Sequence, residues 1–117
     1  MFIVRLKMKV AIVGSRNLTS IALDRYVPEQ ADEIVSGGAV GVDRCAAEYA
    51  KSKGLKLTEF LPQYERYGRA APIVRNKEIV DYADTVIVFW NGSSKGTLSV
   101  IKYAQKAEKP VEVILCE

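Results

Sequence analysis

The sequence predicts an α/β fold: a doubly wound parallel sheet of about five strands, in the order 3-2-1-4-5, with helices on both faces. Three observations predict it. Short β-branched apolar runs alternate with segments of helical periodicity along the whole chain. Parallel neighbours need a crossover, and helices supply it. Glycines and small polar residues gather where strands end rather than where they begin. A length of 117 residues suits one domain with a sizeable core, so 1–117 is read as a single domain.

The elements follow in order. Lys9–Val13 is a strand buried on both faces and closed by Gly14. Thr19 or Ser20 caps a short helix carrying Leu23, Tyr26 and Val27, which ends near Pro28. Glu33–Val35 is the second strand. Val42, Cys45, Ala46, Tyr49 and Ala50 recur at helical spacing, and Gly54 stops that helix. Lys56–Leu61 is the third strand, followed by the irregular PQYERYGRAA. Pro72 sits in the first turn of a helix running to about Tyr82. Thr85–Trp90, TVIVFW, is β-branched or aromatic throughout and is the strongest strand. Leu98–Lys109 is helical, with Val100, Ile101, Ala104 and Ala107 on one face and Lys102, Lys106 and Lys109 towards its negative pole. Pro110 stops it, and Val111–Leu115 is the last strand. Right-handed crossovers leave few topologies, and 3-2-1-4-5 is the doubly wound one.

Composition narrows the chemistry. The net charge of +3 is mild, which suits a small anion better than a long nucleic-acid track. There is no histidine, so no Ser-His-Asp or Cys-His apparatus and no His-ligated metal can be built within the chain. No metal site and no required cofactor are expected. Cys45 and Cys116 show no pairing signature and fit a reducing compartment; Cys45 reads as a small buried helix residue. Apolar runs reach only about six residues, too short to span a membrane. Arg5, Lys7 and Lys9 are scattered among apolar residues, unlike a signal peptide, so the expected location is cytoplasmic. Met8 offers an alternative start, which would make Met1–Lys7 an addition.

Ligands of doubly wound sheets bind beyond the carboxyl ends of the strands, where the strand order reverses. Here that point lies between strands one and four. Gly14–Asn17 follows strand one, SGGAVGVD (36–43) follows strand two, and NGSSKGT (91–97) follows strand four. Gly14, Gly37, Gly38, Gly92 and Gly96 sit at these strand ends, and Gly41 joins them. Glycine lets backbone approach a ligand closely, and a helix start presents free N–H groups to an anion. Ser36, Ser93, Ser94 and Thr97 add hydroxyls; Arg16, Arg44, Arg75 and Lys95 add positive charge. Asp43 would repel a phosphate, so it bonds either a ribose hydroxyl or a loop amide. Neither loop matches a dinucleotide fingerprint or a Walker A loop.

With these residues in place, the chain resembles the SLOG superfamily, the Rossmann-like domains that unite Smf/DprA proteins with LOG ("lysine decarboxylase-like") phosphoribohydrolases. Within it, the small stand-alone YspA/YpsA-related branch is the match. The resemblance rests on VAIVGSR (10–16), IVSGGAVGVDRCAAEYA (34–50), YGRAAPIVRNKEIVDYADTVIVFW (67–90) and SSKGT (93–97). It implies a small nucleotide-binding or nucleotide-sensing domain, a phosphate-containing ligand across these loops, and a homodimer or higher homo-oligomer. The residues carried over are Gly14, Ser15 and Arg16; Ser36, Gly37, Gly38, Ala39, Gly41 and Asp43; Arg75 and Asn76; and Gly92, Ser93, Ser94, Lys95, Gly96 and Thr97. Val100 takes the place of the LOG glutamate, and GSSK replaces the double glycine. A LOG-like hydrolase, with Arg75 orienting phosphate or leaving group, is therefore the second reading, with Asp43 or a partner subunit's carboxylate as substitute. A DprA-like single-strand DNA binder is the third. It would draw on Trp90, Tyr64 and Tyr67. An NAD site using Glu59 is the weakest.

Overall fold

A computed structural model describes residues 7–116. The reading of Met1–Lys7 as an addition therefore falls, but for Lys7, outside the described residues. The strands are β1 (Met8–Gly14), β2 (Ala31–Ser36), β3 (Lys56–Glu59), β4 (Thr85–Trp90) and β5 (Val111–Leu115). The helices are α1 (Val42–Lys53), the single turn α2 (Tyr64–Tyr67), α3 (Ala71–Tyr82) and α4 (Lys95–Lys106). All pairings are parallel and the order is β3-β2-β1-β4-β5, as the sequence predicts.

Strand alternation divides the core into two layers. Val10, Ile12, Ile34, Ile87 and Phe89 face α1, meeting Val42, Ala46 and Ala50. Ala11, Val13, Val35, Val86 and Val88 face the other way, against Ile79 and Val80 of α3 and Val100, Ile101 and Ala104 of α4. Both faces of β1 and β4 are thus covered, which is why their sequences read as continuous apolar runs. Burying a side chain such as Ile12 or Phe89 contributes about 1.5–3 kcal/mol.

Three expectations are corrected. First, no helix runs from Thr19 to Val27: the segment makes one 3-10 turn, Leu23–Arg25, entered through Ala22 without a side-chain cap. So short a stretch, cut off by Pro28, cannot offset the cost of helix nucleation. Leu23 and Val27 dock on the core instead, and Tyr26 meets Phe89 edge-on at 5.3 Å. Second, β3 ends at Glu59, and Leu61 is exposed. Third, α4 starts at Lys95 and ends at Lys106, because Ser94 caps it by accepting from Thr97 N at 3.3 Å. Ala107 is exposed. Lys109 serves the end of α3: its Nζ donates to Ala83 O at 2.7 Å and Asp81 O at 3.4 Å. Around α1 the reading holds, with Gly54 in the left-handed conformation at its C-terminus.

At its far end α3 is fastened to the sheet through Glu33. Thr58 Oγ1 and Tyr82 Oη each donate to Glu33 Oε2 at 2.6 Å, and Lys9 lies over the Tyr82 ring at 4.2 Å. Burial pushes the Glu33 pKa up, but the two hydroxyls, then Lys56 and Lys9, outweigh it and leave it lowered. A lowered folded-state pKa means stability that is present above the unfolded pKa and lost as pH falls through the folded one. Glu33→Gln is therefore expected to be less stable at pH 7 and to lose less on acidification. Urea midpoints measured between about pH 5 and pH 3 check this; parallel curves for the two proteins would refute it.

Candidate functional site

A cleft of about 400 Å³ opens at the carboxyl ends of β1 and β4, walled by the loop after β2, by α3 and by the start of α4. It lies at the reversal of strand order, where the sequence places it. The cleft brings together Gly14, Ser15, Arg16, Gly37, Ala39, Asp43, Arg75, Asn76, Ser94, Gly96 and Thr97. Ser36, Gly38, Gly41, Gly92, Ser93 and Lys95 do not line it. Ser36 is fully buried and accepts from Gly38 N at 3.4 Å. Gly41 enters α1 with φ 79°, and a side chain there would run into the Arg16 carbonyl, so it holds two loops together. Arg44 turns to solvent beside Glu48.

The wall formed by β1 and α4 is rich in donors. Ser15 is 2% exposed; its N–H donates to Phe89 O at 3.1 Å, and its Oγ accepts from Asn91 N at 3.3 Å. Ser15 Oγ is 3.5 Å from Thr97 Oγ1, which is 3.0 Å from Ser94 Oγ, so three hydroxyls form a row. Asn91, missed in the sequence reading, shapes this loop. Its Oδ1 accepts from Ser93 N at 2.9 Å and Ser94 N at 2.8 Å, and its Nδ2 donates to Asn17 Oδ1 at 3.1 Å. Asparagine commonly closes such turns on its own backbone, and that was the available signal. The amides of Ser93 and Ser94 are thus spent internally. What a guest can use is the hydroxyl row and the Lys95 and Gly96 amides of the first turn of α4, since the Thr97 amide already donates to the Ser94 cap. Trp90 donates to Ser94 O at 3.0 Å and pins the loop; it does not line the cleft.

The opposite wall carries the site's own negative charge. Ala39 N donates to Asp43 Oδ2 at 3.1 Å, so of the two roles open to Asp43 the structure shows the loop amide. Among the described residues, Asp43 is the one acidic residue lining the cleft. Burial raises its pKa; the Ala39 amide and Arg75 oppose that, and Glu59 adds to it. Its contribution to stability has the opposite sign to that of Glu33: the native state holds this proton more tightly than the unfolded chain, so stability declines as pH rises from the unfolded pKa to the raised one. Arg75 Nη1 donates to Gly37 O at 2.9 Å and Phe60 O at 3.5 Å, while Nε donates to Asn76 Oδ1 at 2.9 Å. Gly37 lies between the two charges: a Cβ there would sit 2.5 Å from Arg75 Nη1 and 3.0 Å from Asp43 Oδ2. No ion pair joins them among the described residues.

The profile of the YspA, cpYpsA-related SLOG family (YAcAr) matches residues 8–67. The chain belongs to this family. The match covers β1 to α2 and hence the GSR and SGGAVGVD loops of the YAcAr domain; Arg75 and the α4 loop lie beyond it. The domain is 37% identical to the Gene 61 protein of Mycobacterium phage D29 over 84 residues, 67% of each chain. It is also similar to a solved structure of DNA processing protein A from Helicobacter pylori, described for its single-stranded DNA binding mode. The TM-score is 0.73 at 26% identity, covering 94% of this chain. The YAcAr domain spans 66% of that neighbour's length. Among the described residues, no helix is long and apolar enough to cross a membrane. Nor does any group of three or more His, Cys, Asp or Glu among the described residues lie where it could hold a metal ion.

Proposed function

We propose that this SLOG domain binds a nucleotide or nucleotide derivative by its phosphate in the cleft between β1 and β4. One observation carries the reading: the cleft wall built by β1 and α4 collects hydroxyls and a helix start and holds no carboxylate. A thermal-shift panel of mononucleotides, cyclic nucleotides, dinucleotides, ADP-ribose and inorganic phosphate tests it, with Gly96→Glu as the control. A ligand at about 100 times its dissociation constant adds roughly 2.7 kcal/mol, which such a panel detects. Stabilisation of the wild type that the variant loses supports the reading; equal shifts in both proteins would place the ligand elsewhere.

The likeness to DNA processing protein A favours a second reading, single-stranded DNA across the cleft mouth. Tyr64 is exposed next to α3, and Arg66 lies over the Tyr67 ring at 5.1 Å. Oligonucleotide affinity falling steeply with salt would mark it. A LOG-like hydrolase would declare itself by base release. Val100, buried in the cleft wall, offers no carboxylate for that chemistry. We also propose a homodimer, since Leu61, Tyr64 and Ile73 are exposed within one short stretch. Light scattering giving the monomer mass across the micromolar range would reject it.

A further inference from the structure

We propose that Asp43 makes the cleft selective for ribonucleotides over 2′-deoxyribonucleotides by accepting a hydroxyl of the ligand's ribose. This rests on the nucleotide reading above. The cleft is chemically two-ended. The hydroxyls of Ser15, Ser94 and Thr97 and the Lys95 and Gly96 amides stand at one wall, and the one acid among the described residues that line the cleft stands at the other. A phosphate belongs at the first wall and is repelled by the second. A neutral hydrogen-bond donor fits the second.

Asp43 has the means to take that donor. An ionised carboxylate accepts about four hydrogen bonds. The Ala39 and Gly37 amides use part of this capacity, and Arg75 is not paired with it. The residue is 8% exposed and lines the cleft, so a ligand that fills the cleft comes against it. Withdrawn from water, a carboxylate bonds a hydroxyl more strongly than at the surface. The apolar surface suited to a base lies further out, on Val40, which is 62% exposed, and Pro72. In the proposed pose the sugar joins a base on that surface to a phosphate at the α4 wall and meets Asp43. A site built to bond a hydroxyl rejects the analogue lacking it, because its own acceptor is left unpaired.

The test is calorimetric titration with the four ribonucleoside 5′-monophosphates and their 2′-deoxy counterparts. Wild type, Asp43→Asn and Gly96→Glu are compared. For the best-bound base, the ribo form is expected to bind at least tenfold more tightly to the wild type. Asp43→Asn keeps an oxygen for the Ala39 amide and removes the charge; it is expected to bring the ratio within about twofold. Equal affinity of ribo and deoxy forms for the wild type, with both lost in Gly96→Glu, overturns the proposal and leaves the nucleotide reading standing. Discrimination among bases without discrimination of the sugar overturns it too. If none of the eight binds, the nucleotide reading fails and the proposal with it. The wild-type ratio decides the matter even if Asp43→Asn does not fold.

Discussion

Gly14→Ala is expected to destabilise the protein by about 2–3 kcal/mol, the upper part of the usual overpacking range. The backbone of Gly14 needs no left-handed conformation; what it needs is room. A Cβ there would lie 2.5 Å from Val42 Cγ2 and 2.8 Å from Phe89 O. Neither neighbour can yield cheaply. Val42 and Phe89 are fully buried, and Gly14 is in register with Phe89 across the β1–β4 ladder. Relief requires α1 to back away from the sheet, and α1 carries Asp43 into the cleft. For a domain of this size the melting temperature should fall by about 8–12 °C. A fall of less than about 4 °C would show that α1 slides without resistance and that the contact does not fix the site.

Gly96→Glu is expected to separate binding from stability. Space around Gly96 is open, with nothing within 4 Å of a Cβ, so the substitution meets no steric obstacle. In the first turn of α4 it replaces the weakest ordinary helix former, gaining roughly 0.5–1 kcal/mol, and it sets a negative charge at the favourable pole. The fold should become slightly more stable. The same charge faces the wall that the phosphate reading assigns to the anion. Affinity for any phosphate-bearing ligand should fall about 100-fold or more, since like charges in a partly dry cleft repel strongly. Denaturant midpoints and titrations on one preparation read both effects. A variant that binds as well as the wild type would remove the phosphate from α4. Gly38→Asp is a poorer control, because Gly38 has φ 69° and its Cβ would strike Leu61 at 2.5 Å.

The strands and their order were legible because β1 and β4 are buried on both faces and carry uninterrupted apolar runs, VAIV and VIVFW. The clustering of glycines at strand ends likewise located the cleft without coordinates. Where the reading missed, a local pattern competed with a tertiary one. Leu23, Tyr26 and Val27 have helical spacing, yet they reach the core from a 3-10 turn. Ser and Thr ahead of a helix read as caps as well as phosphate hydroxyls; Ser94 is such a cap, and it starts α4 three residues earlier than Leu98. Lys109 looked like part of its own helix's last turn, and only the packing of α3 beside α4 shows which carbonyls it reaches. Asn91 was legible only as the first residue of its loop, because its importance lies in bonds to that loop and to Asn17, 74 positions away in sequence.

The course of the chain has one more consequence. Residues 8–59 form β1, β2, β3 and α1, and residues 71–115 form α3, β4, α4 and β5. These two halves meet along the β1–β4 ladder, and the cleft sits at its end, bridged by Ser15 to Thr97, Asn17 to Asn91 and Gly37 to Arg75. Whatever binds there touches both halves. It acts as a latch on the seam between them, so amide protons of β1 and β4 exchange more slowly while the cleft is filled.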